Sequence, residues 1–149
     1  MANTIVRKGF LNIQDQKVAT AVAITPGMLV ERLAAGTVQA HSLAAGPVNP
    51  LFALEDAAQG KSISTAYAVS VPIMLWKPIP GEQVYAILDA TSGATCAIGD
   101  FMESAGDGRV RTISTVQSSA GVEEFAQSFI GVALEAQTTA GGRVTIEII

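Results

Sequence analysis

Phe101-Met102-Glu103-Ser104-Ala105-Gly106-Asp107-Gly108-Arg109-Val110-Arg111-Thr112-Ile113 is the stretch that decides the fold. Two short β-prone runs flank a glycine-rich centre, and Asp107-Gly108 supplies the positive φ that a tight hairpin turn needs. The segment reads as strand, turn, strand. The same grammar recurs upstream: Met28 to Leu33, then Ala34-Ala35-Gly36, then Thr37 to Ala40. Tyr67 to Trp76 and Gln83 to Leu88 are further strand candidates, separated by Lys77-Pro78-Ile79-Pro80-Gly81-Glu82, where two prolines break any ladder. At the C-terminus, Val144, Ile146 and Ile148 alternate with Thr145 and Glu147, which puts three apolar side chains on one sheet face. Phe129 to Leu134 reads as one more β-like segment.

Helix is scarce in this pattern. Pro50 to Gln59 predicts one short helix stopped by Gly60, and Val122 to Phe129 a second, with Phe125 and Phe129 one turn apart. A faint repeat exists at an offset of 72 residues, matching Gly27 with Gly99, Glu31 with Glu103, Gly36 with Gly108 and Val38 with Val110. Gly131 and Glu135, followed by Gly142 and Val144, echo it again. Any β-hairpin produces this spacing, so shared hairpin geometry is the preferred reading over duplication. Turns are expected at Gly27, Gly36, Gly81, Gly99, Asp107, Gly108 and Gly131.

Composition bounds what such a domain does. The chain has 149 residues, a length that suits one domain with a core of its own. Charged residues make up 15%, against about 25% in ordinary soluble domains. Apolar residues make up 49%, aromatics only 5%, and mean hydropathy is +0.39. The apolar stretches are too short and interrupted for a spanning helix, and no secretory signal follows Arg7-Lys8. The surplus apolar surface therefore belongs in contacts with other proteins, whose centres are depleted in charge; a merely alanine-rich soluble domain is the plainer alternative. A net charge of −4 with dispersed Lys and Arg speaks against a nucleic-acid partner. Residues 1–20 stand apart, because Arg7, Lys8 and Lys17 outweigh Asp15 there while the rest is acidic. The sequence thus divides into an N-terminal arm, 1–20, and a single β-rich domain, 21–149. A frayed terminus is the alternative for the arm.

The inventory for catalysis is thin. His41 is the lone histidine and Cys96 the lone cysteine, so Cys and His metal patterns are excluded and no internal disulfide forms. Cys96, in Ala94-Thr95-Cys96-Ala97-Ile98, reads as a core thiol; His41 reads as a surface loop residue. Neither Gly131-Val132-Ala133 nor Gly141-Gly142-Arg143 continues as a phosphate loop. Glu55-Asp56 and Glu123-Glu124 are adjacent acids whose side chains diverge. Trp76, beside Lys77 and Pro78, is either an interface anchor or a packing residue. The expectation is no enzyme and no cofactor.

The succession Ala53-Leu54-Glu55-Asp56, Gly60 to Tyr67, Pro80-Gly81-Glu82-Gln83-Val84-Tyr85-Ala86, Ile98 to Gly108, and Ile130-Gly131-Val132-Ala133-Leu134-Glu135-Ala136 before a final strand resembles the head decoration, or capsid cement, proteins of tailed bacteriophages. The resemblance covers about residues 20 to 149. It implies a mainly β domain with a compact barrel- or tulip-like core, one or two short helices and an extended N-terminal arm. It also implies a virion protein, made in the host bacterial cytoplasm, that binds the outer face of the expanded capsid. There it cements neighbouring major capsid proteins against internal DNA pressure, as a homotrimer or alternatively a dimer, without touching nucleic acid or membrane. The arm would contact the capsid through Arg7, Lys8, Phe10 and Lys17. Another virion subunit, of a tail tube or fibre base, and a small-ligand-binding β-barrel are the competing readings.

Overall fold

Alternation in the C-terminal segment becomes a strand whose apolar residues line the core and which is paired along both edges. The computed structural model describes residues 4–10, 13–18, 22–113 and 128–149. Among them the strands are β1 (Val6–Lys8), β2 (Ile13–Lys17), β3 (Val30–Arg32), β4 (Val38–Ala40), β5 (Phe52–Ala53), β6 (Pro72–Trp76), β7 (Gln83–Ile87), β8 (Phe101–Ser104), β9 (Val110–Thr112), β10 (Gly131–Ala133) and β11 (Arg143–Ile148). The protein is mainly β, with antiparallel sheets. One sheet runs β1-β7-β11-β10-β8-β9, a second β2-β6-β5, and a third is the β3-β4 hairpin. None of these sheets closes on itself among the described residues.

Val144, Ile146 and Ile148 of β11 lie in the core with Val84 and Ala86 of β7 and Met102 of β8. A second apolar cluster gathers Val18, Ile24, Val30, Val38, Ala53, Ile73 and Leu75. Gly131 belongs to β10 rather than to a turn, and the reason is steric. A Cβ there would stand 2.2 Å from the Glu147 carbonyl oxygen of the neighbouring strand, so only glycine lets β10 approach β11.

The pairings show one strand arrangement used twice. The bridge Leu29↔Phe52 joins the hairpin to the three-stranded sheet, so the first half runs β2-β6-β5-β3-β4. The second half runs β7-β11-β10-β8-β9 in the same order. Registers correspond pair by pair. Asp15↔Met74 answers Tyr85↔Thr145, Ala53↔Leu75 answers Ala133↔Ile146, and Glu31↔Gln39 answers Glu103↔Arg111. The parallel bridge Val18↔Val38 answers Leu88↔Val110, and Ile24↔Tyr67 answers Cys96↔Gln137. Gly27 and Gly99 both sit at φ 90°. The faint sequence repeat is therefore more than shared hairpin geometry. It marks a five-strand unit that the chain forms twice, with β1 as an addition that only the second unit receives.

Several expectations change. Pro50 to Gln59 is not a helix: Phe52 and Ala53 form β5 against Trp76 and Leu75, and only Ala57–Gln59 makes a single 3-10 turn, ended by Gly60 in the left-handed region. Burying Phe52 completely outweighs the local helical pattern. The helix expected over Val122 to Phe129 lies outside the described residues except for Ser128 and Phe129, which are not helical. The strand beginning at Tyr67 starts instead at Pro72, after Ser70 turns the chain at φ 64°. The Asp107-Gly108 hairpin forms, but its loop spans Ala105 to Arg109, with Gly106 and Gly108 both at positive φ. Gly27, Gly36, Gly81 and Gly99 take positive φ where turns were expected. Where it is described, the expected arm lies along its own domain: Ile5 is fully buried, β1 pairs β7 and β2 pairs β6.

Truncating the centre of this ladder should be costly. Ile146→Ala is expected to lower stability by about 2–5 kcal/mol in urea denaturation. Gly131→Ala is expected to lower it by about 1–3 kcal/mol through the strand clash alone. A midpoint unchanged by Gly131→Ala would refute the close-approach argument.

Candidate functional site

Glu82 organises the most conspicuous surface feature. It ends the turn Ile79–Glu82, where its backbone N–H donates to the Ile79 carbonyl at 3.1 Å, and its side chain is buried. Its two carboxylate oxygens accept from two separate segments: the Phe10 N–H at 2.6 Å and the Ile79 N–H at 2.9 Å. The indole of Trp76, itself fully buried, donates to the Phe10 carbonyl at 2.8 Å. Both polar groups of the Phe10 backbone are thus held. At Gly9 a Cβ would meet the Glu82 carboxyl at 2.7 Å and the Trp76 ring at 2.9 Å, so the chain passes only as glycine. The side chains carried by this braced backbone point outward: Phe10 is 86% exposed and Ile79 59%.

Of the expected arm residues, Arg7 and Lys8 lie in β1 and Phe10 follows just past its end. Arg7 and Lys8 are exposed at β1, the terminal strand of its sheet, and the Arg7 guanidinium lies over the Tyr85 ring at 5.3 Å. Lys17 is elsewhere, at the end of β2 opposite Pro72. Lys77, in the loop after Trp76, is exposed as well. Trp76 is a packing residue whose indole N–H positions the neighbouring aromatic. Sequence reasoning missed Ile79, Lys77 and Glu82, since only the tertiary fold brings that loop to the N-terminal segment.

A second apolar surface lies at the other side of the six-stranded sheet. Phe101 is 51% exposed, its ring 5.6 Å from that of Phe129, and Ile98 is 71% exposed. Leu134 is partly exposed beyond β10. Of these, Phe101 and Phe129 are in ring contact at the surface.

His41 is not a surface residue. It is 4% exposed, with Nδ1 2.8 Å from the Ser104 hydroxyl and Nε2 3.3 Å from the Pro47 carbonyl. A carbonyl only accepts, so Nε2–H donates to Pro47 and, in the neutral ring, Nδ1 accepts from Ser104. Its backbone N–H donates to Leu29 O, and its carbonyl accepts from the Gly108 N–H. A buried histidine is kept because every polar group finds a partner, and here those partners join the hairpins of the two units. Glu31 lies 3.9 Å from Nε2, which puts Ser, His and a carboxylate in one row. The row does not expose a nucleophile, because Ser104 has no accessible surface. His41 itself lines a pocket of about 250 Å³, together with Val30, Glu31, Arg32, Pro47, Asn49 and Leu51. The pocket is smaller than the ~300–1,000 Å³ of drug-sized sites. Among the described residues, no three His, Cys, Asp or Glu side chains group as a metal ion requires, and no helix is long and apolar enough to cross a membrane.

Burial works against the Glu31 carboxylate. Hydrogen bonds from Ser42 and Gln39 and the nearby His41 outweigh it and hold the group below its ordinary 4.5. At Cys96, burial raises the thiol above its ordinary 9.0, with Asp100 and Glu135 adding to the rise against the Gln137 N–H. No protein-family model matches the chain, and no curated protein matches it.

Two outcomes follow from these environments. A carboxylate with a depressed folded pKa stabilises the fold above its unfolded pKa and loses that contribution as pH falls through the folded value. Wild type should therefore lose more stability than Glu31→Gln as pH drops below 4.5; parallel curves would show that the carboxylate contributes nothing. Cys96 should resist iodoacetamide at pH 8 in the native protein and react on unfolding. Fast native labelling would contradict its burial.

Proposed function

We propose that the protein is a structural subunit of a tailed-bacteriophage virion, decorating the outer face of the expanded capsid and tying neighbouring major capsid proteins together. The observation that carries this reading is a charge-poor domain bearing two separate apolar surfaces, Phe10 with Ile79 and Ile98 with Phe101 and Phe129. Bridging needs two faces: one to meet copies of the same chain, as a trimer or alternatively a dimer, and one to meet the shell. Closed point-group symmetry would cover the first. Many copies on a repeating lattice then need only modest affinity each. A barrel- or tulip-like closure of the two five-strand units belongs to the same reading.

Light scattering followed by cosedimentation with expanded capsids lacking the protein tests it. The expected result is saturation at a fixed ratio to the major capsid protein, by an oligomer or by a monomer that assembles on the shell. A monomer that stays in the supernatant at every capsid concentration would overturn the reading.

A further inference from the structure

The hairpins of the two units meet inside the chain through a contact that is made once. The tip of the second hairpin, Gly108, is buried in a slot at the base of the first. The Leu29 N–H donates to Gly108 O at 2.7 Å, and the Gly108 N–H donates to His41 O at 3.1 Å. A Cβ on Gly108 would stand 3.0 Å from the Ala40 Cβ and 3.1 Å from Leu29 O, so the slot receives a glycine.

The same two parts exist a second time. The offset of 72 residues sets Gly36 against Gly108, Phe101 against Leu29 and Ile113 against His41. The tips match: the Leu33 N–H donates to Thr37 O at 2.8 Å and the Ala105 N–H to Arg109 O at 2.9 Å, while Gly36 and Gly108 have φ 76° and 81°. The slots match: the His41 N–H donates to Leu29 O at 3.0 Å and the Ile113 N–H to Phe101 O at 2.9 Å. Yet, among the described residues, Gly36 bonds neither the Phe101 N–H nor Ile113 O. Its N–H turns back to Leu33 O at 3.0 Å, it is exposed, and nothing lies within 4 Å of where its Cβ would stand. The slot mouths differ accordingly. Leu29, capped by Gly108, has no exposed surface, while Phe101 is 51% exposed.

We infer that the Ala34-Ala35-Gly36 tip of one copy seats in the Phe101–Ile113 slot of a second copy, repeating between chains the clasp formed within each. The occupant is a second copy because the seated Gly108 tip shows what such a slot holds, and Gly36 carries the matching form. On seating, the Gly36 N–H exchanges Leu33 O for Ile113 O, and the Phe101 N–H gains Gly36 O. The tip is uncharged, as the centre of an interface requires. The contact runs head to tail, so a closed ring of copies uses every tip and every slot. It rests on that part of the proposed reading in which copies of the chain meet one another, and not on the shell.

The test places p-benzoylphenylalanine at Ala35 in the full chain. The counterpart of Ala35 in the seated tip is Asp107, which stays exposed, so the probe does not have to enter the slot. Isotope-labelled and unlabelled chains are mixed and irradiated, both in concentrated solution and on saturated capsids, and the joined peptides are identified by mass spectrometry. The expected product links position 35 to a peptide bearing Phe101 or Ile113 from a chain of the other label. Gly36→Asn is the second variant. Asparagine tolerates the left-handed backbone, and the open tip leaves it room, so the urea midpoint should not move. Its Cβ should clash in the slot as one on Gly108 would, weakening self-association in light scattering by roughly tenfold or more. The crosslink reads the contact whatever the substitution does to folding. Products confined to chains of one label, a product at another surface of the second copy, no product in either setting, or self-association unmoved by Gly36→Asn would each overturn the contact. A crosslinked oligomer that ignores capsids supports the contact and overturns the capsid reading. Saturated capsids without the crosslink overturn the contact and leave that reading standing.

Discussion

The ladder between β7 and β11 is the constraint on which the rest depends. Most strands here have two to five residues, and hairpins of that length are marginal alone. Among the described strands β11 is the longest, and its five pairs with β7 run from Arg143↔Ile87 to Glu147↔Gln83, giving the shorter strands a template. Its far end also sets the exposed surface. The Ile148 N–H donates to the Glu82 carbonyl at 2.9 Å, and the Gly81 N–H donates back to Ile148 O at 2.8 Å. The turn bearing Glu82 is thereby fixed to the core, and Glu82 in turn holds Phe10 and Ile79. The backbone under a surface aromatic is held because a buried strand two links away holds the turn that bears Glu82.

Much of this architecture is legible in the sequence, for stated physical reasons. Period-two alternation at Val144, Ile146 and Ile148 and glycine punctuation at Gly36 and Gly108 are local signals, and local geometry obeyed them. Pro50 to Gln59 misled because its residues favour helix locally while Phe52 is claimed by a distant strand. His41 misled because a polar residue between Ala40 and Ser42 says nothing of the Pro47 carbonyl and Ser104 hydroxyl that meet it. The duplicated topology left only a faint trace. The connection from β5 to β6 is longer than that from β10 to β11, and the one from β9 to β10 longer than that from β4 to β5, so no single offset aligns both units.

The candidate site divides along the same line. An unusual density of Arg and Lys near the N-terminus pointed to Arg7, Lys8 and Lys17, because charge imbalance is visible along a chain, whereas Phe10 came only with the expected arm. Ile79, Lys77 and Glu82 are distant in sequence, and a two-proline loop gives no sign that it packs against an N-terminal strand. The apolar surplus was legible as a quantity without a location. The structure places part of it just past β1, at one edge of the six-stranded sheet, and part around β8 and β10, toward the sheet's other end.

Fusing two like units in one chain has a consequence that two separate copies would not share. Identical units would each present the same surfaces and bind a lattice in two equivalent orientations. Here the hairpins clasp through Leu29, His41 and Gly108, and they differ in chemistry: Glu31 pairs with Gln39 in one, Glu103 with Arg111 in the other. β1 extends only the second unit's sheet, and the loop that corresponds to it, Lys77 to Glu82, carries two prolines and cannot extend the first. Both linkers converge on one carboxylate, so the two units share a single junction rather than having one each. A single junction of this kind makes a pseudo-symmetric body distinguishable from its own rotated copy, so its two units are not interchangeable at their surfaces.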